Sequence, residues 1–139
     1  MIKWVIWLSL VVFGKATLPV VLWHGMNDNF EGMGFYKNLL KQYLPDAYIH
    51  SIKIGADKNE DTENSIFMNA NKQIEIVCNQ LNSDNNLSQG YNAIGFSQGA
   101  QLFRGLIQRC SNQPVKNFIS IGGQHQDKLK IVSGEYNFS

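Results

Sequence analysis

Several features that often point to a function are scarce in this sequence. Its 139 residues include only two cysteines and three histidines, and 12 basic residues are nearly balanced by 11 acidic ones. The sequence shows no basic patch of the kind that binds nucleic acid. No internal repeat or low-complexity segment is present either. We therefore expect one globular domain without a nucleic-acid partner. No motif indicates a cofactor or a metal ion.

The N-terminus has the pattern of a secretory signal peptide. Lys3 precedes an apolar run over residues 4–13, and small residues around Ala16 fit a signal-peptidase site. The run is shorter than the roughly 20 apolar residues of a membrane-spanning helix, so stable membrane insertion is not expected. Removal of residues 1–16 would leave 10 basic and 11 acidic residues, a net charge of 10 − 11 = −1. A buried N-terminal strand or helix is the alternative.

Cys78 and Cys110 give an even cysteine count, which in a secreted chain favours one disulfide over two reactive thiols. Each lies near the C-terminal end of a predicted helix, so a bond between them would join two neighbouring helices. Two free buried thiols are the alternative. A catalytic thiol is not indicated, because neither cysteine has a local activation motif.

The most informative stretch is Gly-Phe-Ser-Gln-Gly at residues 95–99, the G-x-S-x-G pattern of a nucleophile elbow. An apolar run at residues 91–94 predicts a strand before it, and apolar residues at helical spacing predict a helix after it. The elbow strains the serine backbone and requires small residues two positions before and after it. The helix N-terminus then points at any oxyanion formed there. The pattern favours acyl transfer at Ser97, with a plain glycine-rich turn as the alternative.

Strands and helices alternate along the chain, which predicts an α/β fold. The predicted strands are residues 19–23, 47–54, 91–94 and 115–121, and the predicted helices are residues 33–43, 62–81 and 98–109. In the first helix we expect inward-facing apolar side chains at Phe35, Leu39, Leu40 and Tyr43. Without a hairpin signal, the strands should form a parallel sheet with helices on both faces. Ligands bind beyond the carboxyl ends of such strands, where the elbow and the polar loop at residues 24–28 lie.

Four blocks of sequence resemble the palmitoyl-protein thioesterases, a family of lysosomal α/β-hydrolases. The blocks are residues 18–26, 63–67, 89–99 and 121–126. The resemblance implies a three-layer α/β-hydrolase-like fold, here truncated to about four strands. It also implies a lysosomal enzyme that acts on acyl thioesters of S-acylated proteins or peptides. An extracellular location is the alternative, and no cofactor is expected.

The resemblance assigns roles to particular residues. Ser97 matches the nucleophile that attacks the thioester carbonyl and becomes an acyl-enzyme. The backbone N–H groups of Met26 and Gln98 match the oxyanion hole. Cys78 and Cys110 match a disulfide pair of the family.

Four other residues have two interpretations each. His24 could act as a base, but a histidine at this position more often braces its loop. His125 matches a family position that is not catalytic, and we interpret it as a polar loop residue. Asp28 is expected to order its loop, and the Met26 side chain could contact an acyl chain or lie in the core.

The blocks end at Gln126, before a triad acid or a triad histidine can be identified. We therefore expect residues 17–126 to be the N-terminal part of a hydrolase domain and residues 127–139 to be an unmatched tail. Three hypotheses follow. The chain is an impaired thioesterase, another serine esterase or lipase, or a non-catalytic secreted remnant or binding module. Such a module would bind a partner, a second copy of itself, or nothing, through the exposed edge of strand 115–121.

Two glycosylation sequons begin at Asn86 and Asn137. A signal peptide would make both of them available to the secretory pathway. Asn86 is the better candidate, because it lies in a polar loop and Asn137 lies close to the end of the sequence.

Overall fold

The core of the molecule is a four-stranded parallel sheet. A computed structural model describes residues 17–110, 112, 114–124, 130–131 and 134–135, so the predicted signal peptide lies outside it. The strands are β1 (Val20–Trp23), β2 (Ile49–Ser51), β3 (Tyr91–Phe96) and β4 (Val115–Ile121). Their order is β2-β1-β3-β4, and all neighbours are parallel. The predicted α/β class with a parallel sheet is confirmed.

Helices cover both faces of this sheet. They are α1 (Gly34–Tyr43), α2 (Lys58–Phe67), α3 (Ala70–Ser83) and α4 (Gln98–Arg109), with a 3-10 turn at Asn85–Leu87. Side chains alternate between the faces of a strand, so Val21 and Trp23 join the larger core with α3 and α4. Val20 and Leu22 point to the other face and form a smaller core, against which Leu40 of α1 packs.

The prediction of one long helix over residues 62–81 is wrong, because two helices occupy this region. α2 already begins at Lys58, where the Asp57 carboxylate accepts hydrogen bonds from two backbone N–H groups of the first turn. Met68 then leaves the helical conformation with ψ 134°, and the Asn69 side chain caps the start of α3. The apolar spacing continues across this break and therefore does not reveal it.

The inward face predicted for α1 is only partly correct. Leu40 packs against the smaller core, but Phe35 is 71% exposed and Tyr43 is 77% exposed. Leu39 is also exposed. The apolar stripe of α1 is thus wider than the sheet surface that it covers, and sequence spacing alone does not reveal which part of a stripe is covered.

β4 is one edge of the sheet within the described residues. Two of its apolar side chains are exposed, Ile119 by 50% and Ile121 by 44%. Ile119 is paired with Ile94 of β3, and Ile121 is paired with Phe96. Both isoleucines therefore point to the face of the sheet that α1 covers. β4 therefore presents exposed apolar side chains on this face, and its association with another chain stays a prediction.

Several strand limits differ from the prediction. β1 begins one residue later, at Val20, and β2 is shorter than residues 47–54, although Ile52 and Ile54 beyond its end are buried. β3 extends to Phe96. A short antiparallel pair, β5 (Lys130–Ile131) and β6 (Gly134–Glu135), was not predicted, because residues 127–139 were interpreted as an unmatched tail.

Cys78 and Cys110 form a disulfide, with their Cα atoms 5.9 Å apart, so the interpretation as free thiols is wrong. The bond joins α3 to the residue that ends α4, as expected. A closed loop of this length stabilises the fold by about 3 to 4 kcal/mol in the chain-entropy model. Because α4 starts at the elbow, the disulfide ties the helix behind Ser97 to its neighbour.

Candidate active site

Ser97 lies between β3 and α4, at the carboxyl end of the sheet. Its φ of 51° and ψ of −116° are rare for a residue with a side chain and cost conformational energy. Its backbone N–H donates to the carbonyl oxygen of Ile121 at 2.8 Å, which helps to hold the turn. The residue is exposed to solvent. A strained, accessible serine of this kind is what a nucleophile elbow requires.

Two glycines allow the backbone to approach closely around the elbow. A Cβ atom at Gly95 would lie 2.5 Å from Cα of Ala100. A Cβ atom at Gly99 would lie 2.3 Å from the carbonyl oxygen of Trp23 and 2.4 Å from that of His24. Both contacts are far shorter than van der Waals distance, so the close packing of α4 on β1 and β3 requires glycine at both positions.

The loop after β1 lies directly against the elbow. A Cβ atom at Gly25 would lie 3.3 Å from Cβ of Ser97. Met26 follows Gly25, and Gln98 is the first residue of α4, so both proposed oxyanion amides belong to segments that adjoin Ser97. The Met26 side chain is 39% exposed and is therefore not part of the core.

His24 is buried and both of its ring nitrogens face a polar partner. Nδ1 donates to the carbonyl oxygen of Gly25 at 2.9 Å. Nε2 lies 3.2 Å from Oδ2 of Asp61, an ion-pair distance without the alignment of a linear hydrogen bond. Burial lowers the pKa of His24, but Asp61 and the Gly25 carbonyl outweigh it, so this pKa lies above its ordinary value. The arrangement favours a ring that braces the loop over a base for Ser97.

Two buried side chains of α2 contact this region and were not predicted to do so. Asp61 pairs with His24, and the Ser65 hydroxyl accepts a hydrogen bond from the backbone N–H of Asn27 at 2.9 Å. A signal for them exists in the Asp-x-x-Glu sequence at residues 57–60, a capping pattern that starts a helix at residue 58. In that helix, positions 61 and 65 share one face.

The remaining candidates have simpler environments. Asp28 orders its own loop, as predicted, by accepting a hydrogen bond from the backbone N–H of Asn29 at 2.8 Å. Asn86 lies on an exposed 3-10 turn, whereas His125 and Asn137 are outside the described residues. Across the part of the chain that the structure describes, no group of three or more His, Cys, Asp or Glu side chains could hold a metal ion. No helix in that part is long and apolar enough to cross a membrane.

The parallel sheet, the strained serine between strand and helix and the glycine loop beside it define the α/β-hydrolase class. The family model for palmitoyl protein thioesterase matches residues 19–134, and so runs past Gln126, where the four blocks end. The chain belongs to the palmitoyl protein thioesterase family.

Three relatives illustrate the match. Palmitoyl-protein thioesterase 1 of Caenorhabditis elegans is 46% identical over 119 residues, which are 82% of this chain and 40% of the relative. Palmitoyl-protein thioesterase 3 of Dictyostelium discoideum is 38% identical over 78% of this chain and 36% of the relative. The lysosomal thioesterase PPT2 homolog of Drosophila melanogaster is 30% identical over 81% of this chain and 38% of the relative. The chain thus spans less than half the length of these relatives.

Proposed function

We propose that Ser97 is the nucleophile of a palmitoyl-protein thioesterase site and that the backbone N–H groups of Met26 and Gln98 form its oxyanion hole. The strained backbone of Ser97, with the Gly25 loop packed against it, is the observation that carries this proposal. In the reaction, Oγ of Ser97 attacks the thioester carbonyl carbon and its proton passes to a base. The C–S bond breaks, the cysteine thiolate leaves and is protonated, and water later releases the fatty acid from the serine.

We also propose that this chain by itself turns over slowly. Ser97 is followed in the sequence by one histidine, His125, at a position that the family resemblance does not assign to catalysis. His24 has its two ring nitrogens occupied by Gly25 and Asp61. Loss of a triad serine or histidine costs about 10⁶ in turnover, or roughly 8 kcal/mol of barrier. Oxyanion donors and binding alone retain about 10³ to 10⁴ over water, so slow acylation of Ser97 is expected.

A fluorophosphonate probe tests the nucleophile. We expect wild-type protein to be labelled slowly and Ser97→Ala to be labelled at least about tenfold more slowly, because the reacting oxygen is gone. Ser83→Ala is the matched control, since Ser83 is an exposed serine of α3 whose hydroxyl donates to the Gln80 carbonyl. Labelling is followed over time by intact mass. Equal labelling of wild type and Ser97→Ala would contradict the proposal.

The exposed isoleucines of β4 favour a second candidate, a non-catalytic secreted module that self-associates through this edge. Ile119 and Ile121 are its principal contacts in this interpretation. Size-exclusion chromatography with light scattering separates the two candidates in part, because a protein that stays monomeric at all concentrations would exclude self-association. Another serine esterase or lipase is distinguished by a panel of matched acyl thioesters and oxyesters, in which a thioesterase prefers the thioesters.

We propose that the chain enters the secretory pathway and functions in the lysosome. Support comes from the signal-peptide pattern, from the disulfide, and from a relative whose name includes lysosomal thioesterase. On this route Asn86 is expected to carry a glycan, because it lies exposed in a sequon. Intact mass should then fall after glycosidase treatment of protein from a eukaryotic secretory host. An Asn86→Gln variant with the same mass loss would contradict this assignment.

A further inference from the structure

The peptide bond that carries the Met26 N–H is held from its opposite side. This bond joins Gly25 to Met26 and is trans, so its C=O and its N–H point in opposite directions. His24 Nδ1 donates to the C=O of Gly25 at 2.9 Å. The ring therefore sets the direction of the Met26 N–H through this peptide bond.

Asp61 keeps the His24 ring in place and is itself held firmly. Its Oδ1 accepts from the backbone N–H of Ile54 at 2.8 Å, and its Oδ2 accepts from that of Phe30 at 2.8 Å. Oδ2 also lies 3.2 Å from His24 Nε2. A carboxylate with backbone donors on both oxygens cannot rotate freely, so it gives the buried ring a fixed partner.

Ser65 holds the next peptide bond, between Met26 and Asn27. Its Oγ accepts from the Asn27 N–H at 2.9 Å and donates to the carbonyl oxygen of Thr62 at 2.6 Å. Asn27 has φ 63°, a left-handed conformation that costs energy in a residue other than glycine and needs support from its surroundings. Ser65 is 3% exposed, so water does not readily replace its hydroxyl as the acceptor.

The same serine contacts the second oxyanion segment. The main-chain oxygen of Ser65 accepts a buried hydrogen bond from Nε2 of Gln98 at 3.0 Å. One residue of α2 thus binds both the loop after β1 and the first residue of α4. Asp61 and Ser65 are four residues apart in α2, so they share the face that points to these segments.

We propose that Asp61 and Ser65 are positioning residues that fix the relative orientation of the Met26 and Gln98 amides. The oxyanion part of this inference rests on the function proposed for Ser97. The part of the inference that concerns how α2 holds the loop after β1 and the start of α4 rests on hydrogen bonds alone. α2 is then the scaffold of the oxyanion hole, although it contributes no atom that would touch the substrate.

Amide hydrogen exchange and labelling kinetics of three variants test this proposal. In Ser65→Ala the Asn27 N–H loses its acceptor, and we expect it to exchange at least about tenfold faster while the amides of β1 and β3 are unchanged. Ser65→Thr keeps the hydroxyl and should restore slow exchange. Ser83→Ala is the control, because Ser83 Oγ makes the same contact with a carbonyl three residues earlier but lies exposed on α3.

In fluorophosphonate labelling, Ser65→Ala should lower the first-order rate constant about tenfold and leave the half-saturating probe concentration unchanged, because ground-state binding is not altered. Ser65→Thr should restore the rate constant. Unchanged Asn27 exchange in Ser65→Ala, or equal acceleration of all core amides, would overturn the proposal. If wild-type Ser97 is not labelled, the function proposed for Ser97 fails, and the exchange result alone decides whether Ser65 holds the loop.

Discussion

Gly99→Ala is expected to destabilise the fold by about 3 kcal/mol or more and to abolish the labelling of Ser97. The added methyl group would lie 2.3 Å from the Trp23 carbonyl oxygen and 2.4 Å from that of His24. Both atoms belong to the backbone, so a side-chain rotation cannot relieve the overlap. Either α4 moves away from β1 and takes the elbow with it, or the fold is lost.

Urea unfolding followed by circular dichroism measures this effect. Gly34→Ala is the matched control, because a Cβ atom at Gly34 would meet nothing within 4 Å and the residue is in the first turn of α1. This control should retain or slightly raise the free energy of unfolding, since alanine favours the helix. A Gly99→Ala variant that unfolds at the wild-type urea concentration would show that the elbow tolerates a side chain there.

Asp61→Asn is expected to lower the free energy of unfolding by about 3 to 5 kcal/mol, the usual cost of removing one member of a buried ion pair. Asp61 is 1% exposed and its partner His24 is 3% exposed. The amide can accept through one oxygen only, so one of the backbone N–H groups of Phe30 and Ile54 also loses its acceptor. Glu63→Gln is the matched control, because it makes the same charge change at an exposed position of α2.

The pH dependence gives this prediction a second readout. The pKa of His24 is raised in the folded protein: burial lowers it, but Asp61 and the Gly25 carbonyl raise it by more. Stability from this pair is therefore fully present below the ordinary histidine pKa of about 6.5 and is lost as the pH rises through the folded pKa. In Asp61→Asn the buried ring loses its anion and should no longer gain stability from protonation. A wild-type and variant pair with parallel pH profiles between about pH 5 and pH 9 would exclude the ion pair.

His50 must be considered in the same titration. Burial lowers the pKa of His50 in the folded protein. The free energy of unfolding therefore decreases as the pH falls below the unfolded value of about 6.5 toward the lower folded pKa. This opposes the contribution of His24 in wild type. Because His50 is present in both proteins, the difference between their profiles reports on the contact between His24 and Asp61.

The elbow and the order of the elements could be predicted because their signals are local. The G-x-S-x-G pattern and the apolar runs before and after it lie within 20 residues, and the limits of α4 and β4 agree with the prediction. The break between α2 and α3 could not be found from apolar spacing, because that spacing continues across it. The break is marked by Asp57 and Asn69, whose side chains cap the starts of the two helices.

The supports of the site are harder to predict, because they join distant parts of the chain. Ser65 contacts Asn27 from 38 residues away and Gln98 from 33 residues away. An aspartate and a serine on a helix more commonly face water, so their residue types alone do not indicate burial. The exposed face of α1 was mispredicted for a related reason, since the extent of its covering is set by tertiary packing and not by the helix itself.

The position of these supports in the sequence has a consequence for synthesis. A chain emerges from the ribosome with its N-terminus first, so the Gly25 loop and α2, with Asp61 and Ser65, are made before Ser97. The carbonyl of Ile121 that holds the Ser97 N–H follows 121 − 97 = 24 residues later. At about 5 to 20 residues per second, this interval lasts roughly 1 to 5 s. The loop and the helix that lie against the serine are thus translated before it, and the strand that accepts its N–H hydrogen bond is translated after it.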